Sequence, residues 1–214
     1  MGAVSTAAAK KTAKPAAKAE RIVDDTPMEC ANAAALKRWY KSHHATHAGV
    51  WLRIAKKASG IASIDHPEAL EIALCFGWID GQRKSDKGDG EQYFLQRFTP
   101  RTARSTWSKI NRDKVLKLID EGRMQPAGLA EIERARADGR WDAAYDAQSV
   151  ATVPPDLQAA LDANRKAAAF FAKLDSRNRF AVLFRTQGAK KPETRARRIA
   201  QFVEMLAKGE KIHP

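Results

Sequence analysis

The sequence predicts an α+β fold, mainly helical: a small three-stranded antiparallel sheet with flanking helices, followed by a C-terminal helical bundle. Three observations predict it. The run Val50-Trp-Leu-Arg-Ile-Ala-Lys-Lys57 alternates as a half-buried strand does, with Val50, Leu52 and Ile54 inward. Trp78-Ile79 and Tyr93-Phe-Leu-Gln-Arg-Phe98 flank Ser85-Asp-Lys-Gly-Asp-Gly90, a stretch with the composition of a solvated turn, and so read as a β-hairpin. After Pro100 the apolar residues recur at helical spacing almost to the C-terminus.

The elements follow in order. Residues 1–25 are Ala, Lys, Thr and Pro with few large apolar side chains, too little to offset the entropy of ordering, and are expected to be a disordered tail. Residues 28–46 form a first helix with Leu36, Trp39 and Tyr40 on one face, ended by Gly49. Asp65 caps a second helix with Pro67 in its first turn, and Gly77 stops it. Past the hairpin, Ser105 or Thr106 caps a helix that turns Trp107, Ile110, Val115, Leu118 and Ile119 inward and stops at Gly122. Pro126 opens another through Leu129 and Ile132 to Gly139. Ala151-Thr-Val-Pro-Pro155 is the linker. Three helices follow, Asp156–Leu174, Ser176–Gln187 and Glu193–Lys208. The expected organisation is a tail at 1–25, an α+β core domain at 26–148 and a C-terminal helical region at 154–210.

The chain is long enough to bury a real core, and its 44% hydrophobic and 29% charged residues are those of a globular protein. No apolar run is long enough for a membrane span. Cys30 and Cys75 sit in apolar helical patterns and read as buried free thiols, which makes the cytoplasm the expected compartment. The formal net charge is +13. Part of it is Lys10, Lys11, Lys14, Lys18 and Arg21 against Glu20 alone, and the larger part belongs to the folded region. Such a balance favours anionic partners.

Motifs of the common enzyme classes are absent. There is no phosphate-loop or dinucleotide glycine pattern, no Gly-x-Ser-x-Gly, no Cys-x-x-Cys and no His-Glu-x-x-His. His43 and His47 are four apart, but no third ligand is near in sequence, and histidines favour helix C-termini for their interaction with the dipole. No metal, cofactor or catalytic residue is expected. Asp80, between Trp78-Ile79 and Gly81, is the one acid in a noteworthy place, and the commoner role there is an ion pair with Arg83 or Arg97.

The cations of the hairpin carry the functional expectation. Arg83, Arg97, Arg101 and Arg104 surround the helix start expected at Ser105, and guanidinium forks beside a helix N-terminus make an anion site. Trp78 and Trp107 supply aromatic faces, and Asp80 neutralises one cation. Strand alternation is expected to place Arg83 and Arg97 on one face. Trp78 and Trp107 are expected to be largely buried. A second basic cluster, Arg185, Lys190, Lys191, Arg195, Arg197 and Arg198, reads as a solvated helix face, with nucleic-acid contact the less favoured reading.

Several of these segments carry a resemblance. Trp51-Leu-Arg-Ile-Ala-Lys-Lys57, Glu68-Ala-Leu-Glu-Ile-Ala-Leu-Cys-Phe-Gly-Trp-Ile-Asp-Gly81, Arg97-Phe-Thr-Pro-Arg101 and Ser105-x-Trp-Ser108 with Asn111 are similar to the YdeI/OmpD-associated, or bacteriocin-protection, family. So are Val153-Pro-Pro-Asp-Leu157, Ala181 to Phe184 and Lys191-Pro-Glu-Thr-Arg195 with Arg198-Ile199. The resemblance spans residues 30–208 and leaves out the lysine-rich tail. It implies a bacterial protein linked to protection against bacteriocins and cationic peptides and to an outer-membrane porin, with no assigned catalytic residue. A strongly basic protein repels cationic peptides, so an indirect route to protection is expected, through an anionic small molecule or an acidic partner. The alternatives are a small enzyme acting on a phosphorylated or carboxylated metabolite, with Asp80 as acid or base, and a weak nucleic-acid binder.

Overall fold

The structure is a computed structural model that describes residues 20–214, so most of the expected tail lies outside the described residues. What is described of it is paired with the body. Ile22 forms a parallel bridge with His47, Arg21 donates from Nη1 to the carbonyl of His47 at 3.0 Å, and Asp25 pairs with Arg97.

The fold class holds, with a fourth strand added. Strand β1 (Pro27–Glu29) runs parallel to β2 (Val50–Ala55), and the hairpin of β3 (Trp78–Ser85) and β4 (Tyr93–Pro100) completes a mixed sheet of order β1-β2-β4-β3. The antiparallel three-stranded sheet is therefore corrected by an edge strand that overlaps the start of the span read as the first helix. Pro-Met-Glu shows no alternation, and a proline fits only at such an edge. Helix α1 accordingly starts later, at Ala33–His43, capped by the Asn32 side chain.

Helix α2 (His66–Cys75) begins as expected at Asp65, which with Glu68 forms a capping box. Helices α1 and α2 pack on the sheet face that carries Val50, Leu52, Ile54, Trp78, Phe94 and Phe98. Helices α3 (Lys109–Asp120) and α4 (Pro126–Ala137) extend the same core through Val115, Leu118, Ile132 and Ala135. The cap of α3 is Ser108, not Ser105 or Thr106, because the chain from Thr102 to Ser105 closes its own turn first. Ile110, expected inside, lies at the surface.

The opposite sheet face is covered by long side chains. Lys84 Nζ sits 3.9 Å from the Trp51 ring centroid, and Arg53 lies over Tyr93 while pairing with Glu29 and Asp86. The C-terminal helices form a second core around Leu157, Leu161, Phe171, Leu183, Phe202 and Leu206. The helix expected at Asp156–Leu174 is two, α5 (Pro155–Asp162) and α6 (Arg165–Ala172), because Asn164 caps the second. Helix α7 is Ser176–Gln187, capped by the Asp175 side chain, and α8 is Pro192–Ala207. Tyr145, in the segment after α4, packs edge-on against Phe184 of α7, 4.9 Å between centroids. Among the described residues no helix is long and apolar enough to cross a membrane.

Candidate functional site

The expected four-arginine cluster does not form, and a bulge in the hairpin explains why. Near its base β3 pairs Trp78 with Pro100 and Asp80 with Phe98, but Arg83 pairs with Gln96 and Ser85 with Phe94. One extra residue has entered β3 between Asp80 and Arg83. Without it Arg83 would face Leu95 and share a side with Arg97. With it Arg83 moves to the other face, because a one-residue slip inverts the pleat. Its guanidinium lies 3.7 Å over the Phe94 ring, whereas Arg97 reaches Asp25 beside Trp51. Buried Gln96 stabilises the bulge by donating from Nε2 to the carbonyls of Gly81 at 3.3 Å and Gln82 at 3.2 Å.

The remaining expected residues separate in the same way. Asp80 pairs with His66 at 3.1 Å and with none of the arginines. Trp78 is 1% exposed and donates from Nε1 to the carbonyl of His44. Arg104 is exposed. The Ser105 hydroxyl accepts from the backbone N–H of Thr102, and its carbonyl accepts from Arg140 at 2.8 Å. Trp107 is buried, as expected, with its ring 5.2 Å from that of Trp141.

Arg101 is the residue that keeps a distinctive environment. It follows Pro100 at the end of β4, where its N–H donates to the carbonyl of Gly77, and it is only 5% exposed. Its guanidinium stacks 3.6 Å from the Trp107 ring centroid and donates from Nη1 to the carbonyl of Thr106 at 3.1 Å. Nε and Nη2 are buried without a hydrogen-bond partner. Burial pushes its pKa down to about 10, opposed by the nearby Glu131 carboxylate, so it stays charged at neutral pH. Buried unpartnered donors cost about 1–3 kcal/mol each, more on a charged group.

Arg101 lines a cleft of about 640 Å³ with Arg21, Ala48, Thr99, Pro100, Thr102, Ala103 and Arg134. Three elements deliver its cations: the segment before β1, the end of β4 and helix α4. Arg134 pairs with Glu131 one turn earlier, and its Nε is buried without a partner. The lining residues include no carboxylate. Sequence reasoning found Arg101 from the hairpin's cation pattern but missed Arg21, placed in the tail, and Arg134, to which no role was given.

Other features lack this combination. A larger shallow groove of about 830 Å³ on the C-terminal helices is lined by Ala160, Ala163, Ala196, Ala200 and Val203, with rim charges paired as Asp156–Arg195 and Glu204–Lys208. His43 stacks on Trp39, its Nδ1 at 2.8 Å from the Trp39 carbonyl. Among the described residues no three His, Cys, Asp or Glu side chains are grouped as metal ligands.

Comparison with known families divides the chain where the two cores divide. Residues 28–131 match a family described as Domain of unknown function (DUF8412), and residues 150–209 match one described as Bacteriocin-protection, YdeI or OmpD-Associated. The motifs between residues 51 and 111 thus lie within the first family's span, and the cleft's Thr99 to Ala103 with them. No curated protein and no solved structure matches significantly. The chain contains a bacteriocin-protection, YdeI or OmpD-associated domain at residues 150–209, carried behind an α+β domain of unknown function.

Proposed function

We propose that the cleft lined by Arg21, Arg101 and Arg134 binds an anionic group, and that the protein acts by binding rather than by catalysis. The observation that carries this reading is Arg101: a charged side chain, 5% exposed, with two nitrogens lacking partners, beside two further guanidiniums and no lining carboxylate. A phosphate or carboxylate there gains charge-assisted hydrogen bonds in a partly desolvated site. Asp80 stands outside the lining residues, which favours binding over acid–base chemistry. The cytoplasm fits this role and the two buried free cysteines. The C-terminal domain connects the protein to bacteriocin protection. With a net charge of +13 that connection runs through the anionic ligand rather than through capture of cationic peptides, and tolerance of envelope stress is its expected outcome.

The test is thermal melting with inorganic phosphate. A ligand at a hundredfold its Kd stabilises the native state by about 2.7 kcal/mol, a rise of about 5–10 °C for a chain of this size. Arg101→Met and Arg134→Gln should each abolish the rise while far-UV circular dichroism stays native. Equal stabilisation of wild type and both variants overturns the assignment.

A further inference from the structure

From the way the segment before β1 is fastened beside the cleft, we infer that Asp25 and Arg97 are positioning residues of the anion site. Their ion pair holds residues 21–25 against the body as a strap, and only in that position does Arg21 line the cleft with Arg101 and Arg134. The inference rests on the anion-binding reading above and adds what completes that site.

Arg21 belongs to no helix or strand, so other contacts must place it. Its Nη1 donates to the carbonyls of His47 at 3.0 Å and His44 at 3.4 Å, and among the described residues its Nε and Nη2 have no partner. The next residue is bonded on both sides to the turn after α1. The Ile22 N–H donates to the carbonyl of Thr46, and the Ala48 N–H donates to that of Ile22, each at 2.8 Å. Further along the strap, the Asp25 carboxylate accepts from Arg97. Arg97 is outside the cleft lining but shares its face of β4 with Thr99, which is part of it. Gly49 makes room for the pair: a Cβ there would stand 2.9 Å from Arg97 Nη2 and 3.0 Å from its Nε.

Little else holds the strap. Ile22 and Val23 are 54% and 70% exposed, so apolar burial contributes little to its docking. Asp24 and Thr26 are separated from Trp39, His47 and Gly49 by a hollow of about 270 Å³ rather than by packed side chains. A segment fastened by a few polar contacts opens at low cost in free energy. Opening withdraws Arg21 from the cleft, so the apparent affinity for an anion falls with the fraction of molecules whose strap is in place. By linkage, an anion bound in the cleft favours the docked strap by the same factor. Asp25 therefore acts in two opposed ways. Its charge repels an anion nearby, whereas its pairing with Arg97 delivers the cation that binds one.

Binding of inorganic phosphate to the full chain should be measured by titration calorimetry. Arg21→Gln is expected to weaken it about tenfold, the loss of one charge-assisted hydrogen bond. Asp25→Asn is expected to weaken it at least about threefold, although removal of a carboxylate would by charge alone tighten it. Gly49→Ala, which displaces the Arg97 guanidinium without altering any charge, is expected to weaken it by a similar factor. In the Arg21→Gln background neither change should weaken binding further, because the strap then has no cation to deliver. Phosphate should also slow amide hydrogen exchange at Ile22 and Ala48, whose N–H groups close the bridge. Unchanged or tighter binding in Asp25→Asn or in Gly49→Ala, with binding still dependent on Arg134, overturns the inference and leaves the anion site standing. Equal losses with and without Arg21, or exchange at Ile22 and Ala48 that phosphate leaves unchanged, overturn it as well. Phosphate binding that is absent from the wild type, or indifferent to Arg134, removes the anion site itself and the inference with it.

Discussion

The guanidinium of Arg101 lies flat on the indole of Trp107, 3.6 Å from its centroid, while donating to the carbonyl of the residue before it, Thr106. One side chain thereby joins the end of β4 to the segment that leads into α3. The stacking contributes about 2 kcal/mol when desolvated and the hydrogen bond to Thr106 about 1.5–3 kcal/mol, and the two orphan nitrogens oppose them by about 1–3 kcal/mol each. The pair is close to balanced in the free protein, so a bound anion changes the sum in one direction only.

Replacing Arg101 by Met should therefore alter stability little, by about 1 kcal/mol in either direction, because an apolar side chain of similar length removes cost and gain together. Trp107→Ala should cost about 3–5 kcal/mol, since it empties a fully buried site. Urea denaturation of both variants measures the contrast. A loss of several kcal/mol in Arg101→Met would mean that the orphan nitrogens are satisfied in solution.

Gly128 is where α4 crosses the end of α2. A Cβ there would stand 2.3 Å from the carbonyl oxygen of Cys75 and 2.7 Å from Met124 Cε. Gly128→Ala should destabilise by about 1–3 kcal/mol, the usual range for overpacking. Because α4 also carries Arg134, the same variant should lose part of the melting response to phosphate. Melting curves with and without phosphate report both effects.

The bulge in β3 depends on Gln96, whose amide donates to two carbonyls of that strand. Gln96→Met keeps the volume and removes the donor, leaving the carbonyls of Gly81 and Gln82 without it. The expected loss is about 1–3 kcal/mol. Amide hydrogen exchange should accelerate in β3 and β4 and remain slow in α7 and α8, whose core is separate.

Acid should unfold the protein through its paired aspartates. Asp86 is held below its ordinary pKa of 3.8 chiefly by the side-chain hydrogen bond from Arg53, Asp156 by that from Arg195, and Asp175 by the backbone N–H of Asn178. With these values depressed in the folded state, the unfolded chain binds protons first as pH falls. The stability they confer is complete above the ordinary value and is lost as pH drops through the folded values beneath it. Denaturation midpoints should be flat from neutral pH to about pH 5 and fall below pH 4. Asp156→Asn should be less stable at neutral pH and show a shallower acid decline.

The amino-acid sequence by itself determined the elements whose signals are local. The Asp65 cap, Pro67 and the glycine at 77 bound α2 within a few residues; Gly122 and Gly139 end α3 and α4 with positive φ; the alternation from Val50 sets the inner face of β2. The burial of Trp78 and Trp107 was equally legible, since a large indole beside apolar neighbours is driven inward by its own area. Tertiary structure alone decided what depends on a partner. Strand β1 exists because β2 offers an edge, and three residues carry no periodicity to announce it. The face of Arg83 follows from a bulge held by Gln96 on the neighbouring strand. Most of the cleft was hidden for the same reason: Arg21, Arg101 and Arg134 are more than thirty residues apart from one to the next, and nothing in their own segments says that they meet. Caps, stops and periodicity act over a few residues along the chain, whereas faces and clefts are set by packing between segments that only folding brings together.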